Sequence, residues 1–268
     1  MSEHALIDRT PEPRTRASLG VDLRALGVRP GMILLVHSSL SALGWVCGGP
    51  VAVVQALMDT VTTEGTLVMP TQSGDLSDPA DWSRPPVPSD WLPAIYESMP
   101  AYDPRITPTR GMGRTVETFR TWPGAIRSAH PLDSFAAWGA QAERVIQGHQ
   151  LDFGLGEGSP LARMYELDAY VLLLGASYDS NTTFHLAEYR APGQTPRREG
   201  APIIEHGERV WKTWDDIELN SDVFPMIGAD LEASGAVTLG QVGSAEARLF
   251  SARAAVDFAQ TWLAARQP

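Results

Sequence analysis

Cysteine is almost absent. Cys47 is the only one in 268 residues, so no disulfide can form within the chain. Long apolar runs are missing as well; no uninterrupted segment approaches the roughly 20 residues that span a bilayer. Residues 1–20 mix charges and prolines with no apolar core, unlike a secretory leader. These absences lead to the expectation of a cytoplasmic protein with no membrane partner. Positive charge is also scarce, with 21 Lys and Arg against 32 Asp and Glu and a formal net charge of −11. A general nucleic-acid binder needs a basic footprint, so nucleic acid is not an expected partner. A cationic small molecule suits the negative field, although many acidic proteins carry such charge for solubility alone. Neither GxGxxG nor a Walker lysine occurs. No repeat, low-complexity tract or dividing linker is present, so residues 1–268 read as one domain with a substantial core. No metal site is expected.

The chain does contain short apolar strands alternating with helices. Met32–His37, Gly65–Pro70 and Val171–Leu174 have the continuous apolar pattern of strands buried on both faces. Ser134–Trp138 and Arg248–Phe250 read as two further short strands. Helices are expected over Leu19–Leu26, stopped by Gly27, and over Val51–Val61 after Pro50. Others are expected over Thr115–Arg120, Leu161–Leu167 after the Ser159-Pro160 start, and Phe184–Arg190, with a last one capped by Ser251. Ala201–Glu205 and Glu208–Trp214 flank His206-Gly207 as a β-hairpin. Between Asp78 and Arg110 lie eight of the 21 prolines, too many for central strands. That stretch reads as a surface excursion carrying one short helix at Leu92–Ser98.

The run Val171–Arg190 carries the best chemical signal. A buried strand ends at Gly175, a loop follows, and His185 and Glu188 stand three apart on the next helix. Ligands of open α/β sheets gather beyond the carboxyl ends of strands, where such a helix begins. An imidazole held by a carboxylate is a general base suited to neutral pH. The competing explanation is an ordinary solvated helix face.

Other stretches are less specific. The segment Ser38–Pro50 leads through Gly48 and Gly49 into a helix, as either an anion-binding loop or a plain glycine turn. Gly154–Gly158 follows no buried strand and reads as a structural turn. His130, restricted to extended geometry by Pro131, reads as a packed residue. Cys47 has no evident base nearby, so it too reads as a packed structural residue. Asp215, Asp216, Glu218, Asp222, Asp230 and Glu232 form an acidic stretch, either solvated surface or one wall of a cation site.

Several motifs together resemble the aminoglycoside 3-N-acetyltransferase family, antibiotic N-acetyltransferases distinct from the common acetyltransferase superfamily. They are Leu35-Val36-His37-Ser38-Ser39-Leu40, Gly44 with Gly48-Gly49, Gly65–Pro70, and Asp103-Pro104-Arg105 with Thr107-Pro108-Thr109. Arg127-Ser128-Ala129-His130-Pro131 and Gly156–Leu161 follow, then Leu172–Gly175 with Asn181–Glu188. They keep the family's order over roughly residues 20 to 265. The resemblance implies a three-layer α/β/α fold, expected here to have a mainly parallel central sheet. It implies acetyl-CoA as co-substrate and a deoxystreptamine aminoglycoside as acceptor. His185 and Glu188 would be the catalytic pair. Ser38, Ser39, Leu40, Gly44, Val46, Gly49, Met112, Ser128, His130, Ser134 and Phe135 would line the coenzyme A channel. Asp75, Asp179, Asn181 and Asp222 are the candidates for holding the acceptor.

The expected reaction is direct acetylation of the acceptor's 3-amino group with His185 as base, in a monomer or homodimer. Two alternatives stand beside it: acetyl transfer to another small amine, and a non-catalytic coenzyme A-binding protein. Retention of both His185 and Glu188 weighs against the second. A covalent route through Cys47 is a further, weaker rival.

Overall fold

The computed structural model describes residues 3–266 of the chain. A short helix α1 (Glu3–Asp8) precedes α2 (Arg16–Leu26). The second helix starts three residues earlier than its apolar pattern suggests, because Thr15 and Ser18 form a reciprocal capping box. Gly27, at φ 111°, ends it. Next come β1 (Ile33–Ser38), α3 (Gly49–Val61), β2 (Thr66–Pro70), α4 (Leu92–Ser98) and α5 (Gly113–Arg120). Then follow β3 (Ile126–Arg127), β4 (Phe135–Gly139), α6 (Ala142–Ile146), α7 (Pro160–Glu166), β5 (Tyr170–Leu174) and α8 (Thr183–Arg190). The chain closes with β6 (Pro196–Glu205), β7 (Glu208–Ile217), α9 (Phe224–Ala233), β8 (Val237–Val242), β9 (Ala245–Ser251) and α10 (Ala252–Ala264).

Seven strands form one mixed sheet in the order β3-β4-β2-β1-β5-β9-β8. Only the central three, β2, β1 and β5, run parallel; β3, β4, β9 and β8 pair antiparallel. The expectation of a mainly parallel sheet is therefore corrected. The apolar runs in β4 and β9 are buried much like those of the parallel strands, and burial carries no information about direction. Connections decide it. Val242 pairs with Ala245 across a two-residue turn at Gly243-Ser244, a link that only antiparallel neighbours accept.

Period-two alternation sorts the sheet's side chains into two apolar clusters. Leu35, Val68, Ala137, Val171, Leu173 and Phe250 pack with residues of α6, α7, α8, α9 and α10. Leu34, Val36, Leu67, Met69, Leu172 and Leu174 pack with α2, α3 and α5. The α/β class expected from the sequence is what the fold shows. Both strands of the separate β6–β7 hairpin run longer than expected, and the proline-rich excursion leans on it. Leu76 and Tyr102 from that side meet Leu132, Ala201 and Trp214 in a third, smaller cluster. Arg209 reaches the Met99 carbonyl at 2.8 Å, and Tyr96 stacks edge-on to Trp211 at 4.7 Å.

Candidate active site

Residues at and just beyond the carboxyl ends of the three parallel strands meet in one cleft, where open sheets collect ligands. The end of β1 supplies His37 and Ser38, β2 supplies Pro70 with Gln72 just beyond, and the loop after β5 leads into α8 with His185. Val36, His37, Ser38, Pro70, Gln72, Asp179, Thr182, His185 and Ser221 line an inner cavity of about 360 Å³. A larger outer cavity of about 810 Å³ is lined by Ser38, Ser39, Leu40, Gly44, Trp45, Val46, Gly49 and Arg114, among others. Ser38, Gly111 and Met112 line both, so the two cavities meet there.

His185 Nδ1 lies 2.6 Å from Glu188 Oε2, one turn along α8, and both side chains are largely buried. Glu188 Oε1 accepts the Asn220 N–H at 2.7 Å, so both carboxylate oxygens are engaged. The imidazole packs on Phe224, with ring centroids 4.8 Å apart. A carboxylate at Nδ1 leaves Nε2 as the imidazole's free nitrogen.

Ser38, Ser39, Leu40, Gly44, Val46, Gly49 and Met112, the first seven residues assigned to a coenzyme channel, all line the outer cavity. Gly44 adopts φ 85°, and a Cβ there would fall 2.8 Å from Ser244 Oγ, so the loop needs glycine at this point.

Ser128, His130, Ser134 and Phe135 lie apart from these seven. All four are essentially fully buried and line neither cavity. Their polar atoms are spent on the fold. Ser128 Oγ accepts the Phe135 N–H and meets His149 Nδ1 at 2.9 Å. Ser134 Oγ donates to the Thr71 carbonyl and receives Arg127 Nε at 3.0 Å. His130 Nδ1 accepts the N–H groups of Leu132 and Asp133, and the ring stacks on His149 at 4.7 Å. Burial drives His130 down to about 4 and His149 to about 3, so both rings stay neutral.

Of the four residues assigned to an acceptor, Asp179 alone lines the inner cavity. Asn181 is fully buried, and its Oδ1 accepts the N–H and hydroxyl of Thr183 at the start of α8. Asp75 is committed to an ion pair with Arg110 and lines neither cavity. Asp222 is exposed beside Ser221, which does line the cavity. Gly154–Gly158 is a turn: Gly156 donates to the Phe153 carbonyl, and Ser159 caps α7. Cys47 is exposed, contrary to the packed position expected, and only its neighbours Val46 and Gly49 line the cavity.

Sequence reasoning missed His37 as a site residue. It sits within the Leu35–Leu40 motif at the end of a buried strand, and that position was the available signal. It is buried, with Nε2 3.4 Å from Thr182 Oγ1. Also missed are Asp133 and Glu199, which join Asp216 of the acidic stretch in one carboxylate set. Burial, reinforced by Asp216, pushes Asp133 up to about 7. Burial also pushes Glu199 to about 7 against the pull of Arg197, with Asp133 and Asp216 adding to it. Asp216 is held by the Gly154 N–H at 3.2 Å and by the Tyr189 hydroxyl. Asp133 also feels His185, which lowers it, although none of the three carboxylates lines either cavity. Among the described residues no group of three His, Cys, Asp or Glu is placed to hold a metal ion.

Residues 35–264 match the family model for aminoglycoside 3-N-acetyltransferases. A prophage-derived aminoglycoside N(3')-acetyltransferase-like protein of Bacillus subtilis, YokD, is 54% identical over 96% of this chain and 95% of its own. Its crystal structure superposes with a TM-score of 0.97 over 98% of each chain. Aminoglycoside N(3)-acetyltransferase VII of Streptomyces paromomycinus is 39% identical over 98% of this chain and 96% of its own. A solved binary complex of the enzyme AAC-IIIb with CoASH aligns at a TM-score of 0.85 and 36% identity, covering 95% of this chain and 98% of the other. With the family model spanning most of its length and such relatives matched end to end, the chain belongs to the aminoglycoside 3-N-acetyltransferase family of acyltransferases.

Proposed function

We propose that this protein transfers an acetyl group from acetyl-CoA directly to the 3-amino group of a deoxystreptamine aminoglycoside, with His185 as general base. The observation that carries this reading is His185, backed by Glu188 at 2.6 Å and lining an inner cavity that meets a larger outer cavity at Ser38, Gly111 and Met112. Two joined cavities suit two substrates, a long donor in the outer one and an amine in the inner one. The AAC-IIIb complex with CoASH supports the choice of donor.

The acceptor's amine is largely ammonium at neutral pH and attacks only as the neutral form, after giving one proton to solvent. His185 Nε2 takes the proton as nitrogen attacks the thioester carbonyl. Glu188 fixes the tautomer and stabilises the imidazolium that forms. A backbone N–H or hydroxyl of the Ser38–Leu40 loop meets the oxyanion of the tetrahedral intermediate. That attack forms the C–N bond; collapse of the intermediate restores the carbonyl and breaks the C–S bond, and the departing thiolate takes up the proton held by His185. Asp179, with Asp133, Glu199 and Asp216, draws the acceptor's other ammonium groups by charge. In this reading the whole chain is one antibiotic N-acetyltransferase domain in three α/β/α layers. It works in the cytoplasm, where acetyl-CoA is made, and contributes to antibiotic resistance.

The test is release of free thiol from acetyl-CoA in the presence of a panel of aminoglycosides and simple amines. Acetylation of a deoxystreptamine aminoglycoside at its 3-amino group supports the reading. Turnover confined to simple amines transfers the proposal to another acceptor class. Coenzyme A binding with no turnover on any amine makes the protein a non-catalytic binder.

A further inference from the structure

The outer cavity poses an electrostatic problem. Coenzyme A ends in a nucleotide bearing a pyrophosphate and a 3′-phosphate, yet this chain has a net charge of −11. A polyanion approaching such a surface is repelled unless the cavity supplies positive charge locally. Of the fourteen described residues lining the outer cavity, the only lysine or arginine is Arg114, on the first turn of α5. The other charged group there is Glu3, whose carboxylate receives the Trp45 indole N–H at 3.4 Å.

Arg114 is also uncommitted. Nearby arginines are tied down: Arg110 to Asp75, Arg120 to Glu117, Arg105 to Asp103 and Arg14 to Glu12. The Arg114 side chain makes no hydrogen bond or ion pair with any described residue, and it is exposed to the cavity mouth. Its neighbours leave room for a ligand, because a Cβ built on Gly111, Gly113 or Gly49 would meet nothing within 4 Å. Gly111 and Met112 line both cavities, so a donor whose thioester lies at that junction extends its opposite end into the outer cavity.

We propose that Arg114 is the specificity-determining residue for the donor's phosphorylated end, the group that makes this protein choose acetyl-CoA over a shorter acetyl thioester. The inference rests on the acetyl-CoA reading above and adds the residue that reads the nucleotide. A guanidinium offers a phosphate two parallel charge-assisted hydrogen bonds, a geometry that an ammonium does not match. The pantetheine arm and thioester make no use of it.

The experiment compares coenzyme A, dephospho-coenzyme A and pantetheine by calorimetry, and their acetyl thioesters by steady-state kinetics, in the full chain and in Arg114→Gln and Arg114→Lys. Arg114→Gln should weaken coenzyme A binding and raise the KM for acetyl-CoA by about tenfold, the order expected for a hydrogen bond to a charged group. kcat should stay within about twofold, because Arg114 does not line the inner cavity that holds His185. Binding of pantetheine should be unchanged. Arg114→Lys should recover part of the loss. A loss that disappears with dephospho-coenzyme A assigns Arg114 to the 3′-phosphate; one that persists assigns it to the pyrophosphate. An equal effect on coenzyme A and pantetheine, or none on coenzyme A, overturns the proposal. Absence of turnover in the unsubstituted protein would overturn the acetyltransferase reading, while the calorimetric comparison still decides the role of Arg114.

Discussion

His37 and His185 line one cavity, and they differ in what holds them. Burial, helped by the nearby His185, drives His37 down to about 3, so that ring stays neutral at any working pH. His185 has the Glu188 carboxylate at 2.6 Å, and that carboxylate is anchored by Asn220. Of the two imidazoles, only His185 has a counter-charge ready for the proton it accepts. His185→Ala should therefore lower kcat by roughly 10² to 10⁴, with little change in acetyl-CoA affinity. Glu188→Gln should cost less, because an amide still orients the ring but leaves the imidazolium without its counter-charge. Steady-state kinetics on folded variants test this, and near wild-type kcat in His185→Ala would remove the base from the mechanism.

Cys47 should be dispensable. Its side chain is exposed and lies outside both cavities, though its flanking residues line one of them. Cys47→Ala should keep most activity, and mass spectrometry after mixing with acetyl-CoA alone should find no acetyl group on the chain. A stoichiometric acetyl-cysteine would replace direct transfer with a covalent route.

The carboxylates Asp133 and Glu199 should trade stability for binding. Both sit near 7 in the fold, above their ordinary values of 3.8 and 4.5. The folded state then holds more protons than the unfolded chain between about pH 4 and 7, so their contribution to stability falls as pH rises through that window. Asp133→Asn and Glu199→Gln should raise Tm at pH 8 and lose that advantage near pH 4. If the set draws the acceptor's ammonium groups, the same variants should raise the acceptor's KM while leaving that of acetyl-CoA unchanged. Thermal melts across pH, with paired KM values, check both halves.

What the sequence revealed followed from local physics. Leu92–Ser98 was readable because proline at the first turn and apolar spacing act within seven residues, and the helix matches that span. The His185–Glu188 pair was readable for the same reason, being one turn of one helix. β8 was not. Its burial runs intermediate, exposed, exposed, intermediate, exposed, buried, an edge strand with no apolar run to mark it. The helix α9 was hidden in a stretch dominated by its acidic neighbours, although Pro225 occupies its first turn. The grouping of Asp133 and Glu199 with Asp216 was invisible because the three come from a loop and two hairpin strands. Only the β6–β7 register, which places Glu199 opposite Trp214 and Arg197 opposite Asp216, puts the two strand carboxylates on one face. For Ser128 to Phe135, local reading and family resemblance diverged. The former took His130 as a packed residue, and the fold buries it.

The stacked pair His130 and His149 should, together with His37, set the protein's acid limit. Both rings are neutral and fully used: His149 meets Ser128 Oγ and the Gly154 carbonyl at 2.9 and 2.7 Å, and His130 Nε2 reaches the Leu151 carbonyl at 3.2 Å. Their values of about 4 and 3 lie below the 6.5 of an unfolded chain. Between pH 6.5 and those values the unfolded state binds more protons than the folded one. Stability from this pair is thus complete above 6.5 and drains away as pH falls. The effect opposes that of Asp133 and Glu199, so the two sets separate by mutation. His149→Asn should melt lower than the parent at pH 8, having lost good hydrogen bonds. It should, however, lose fewer degrees between pH 8 and pH 5, because one of the three buried neutral rings, His37, His130 and His149, is gone. If its Tm falls with pH as steeply as the parent's, the acid limit lies elsewhere in the fold.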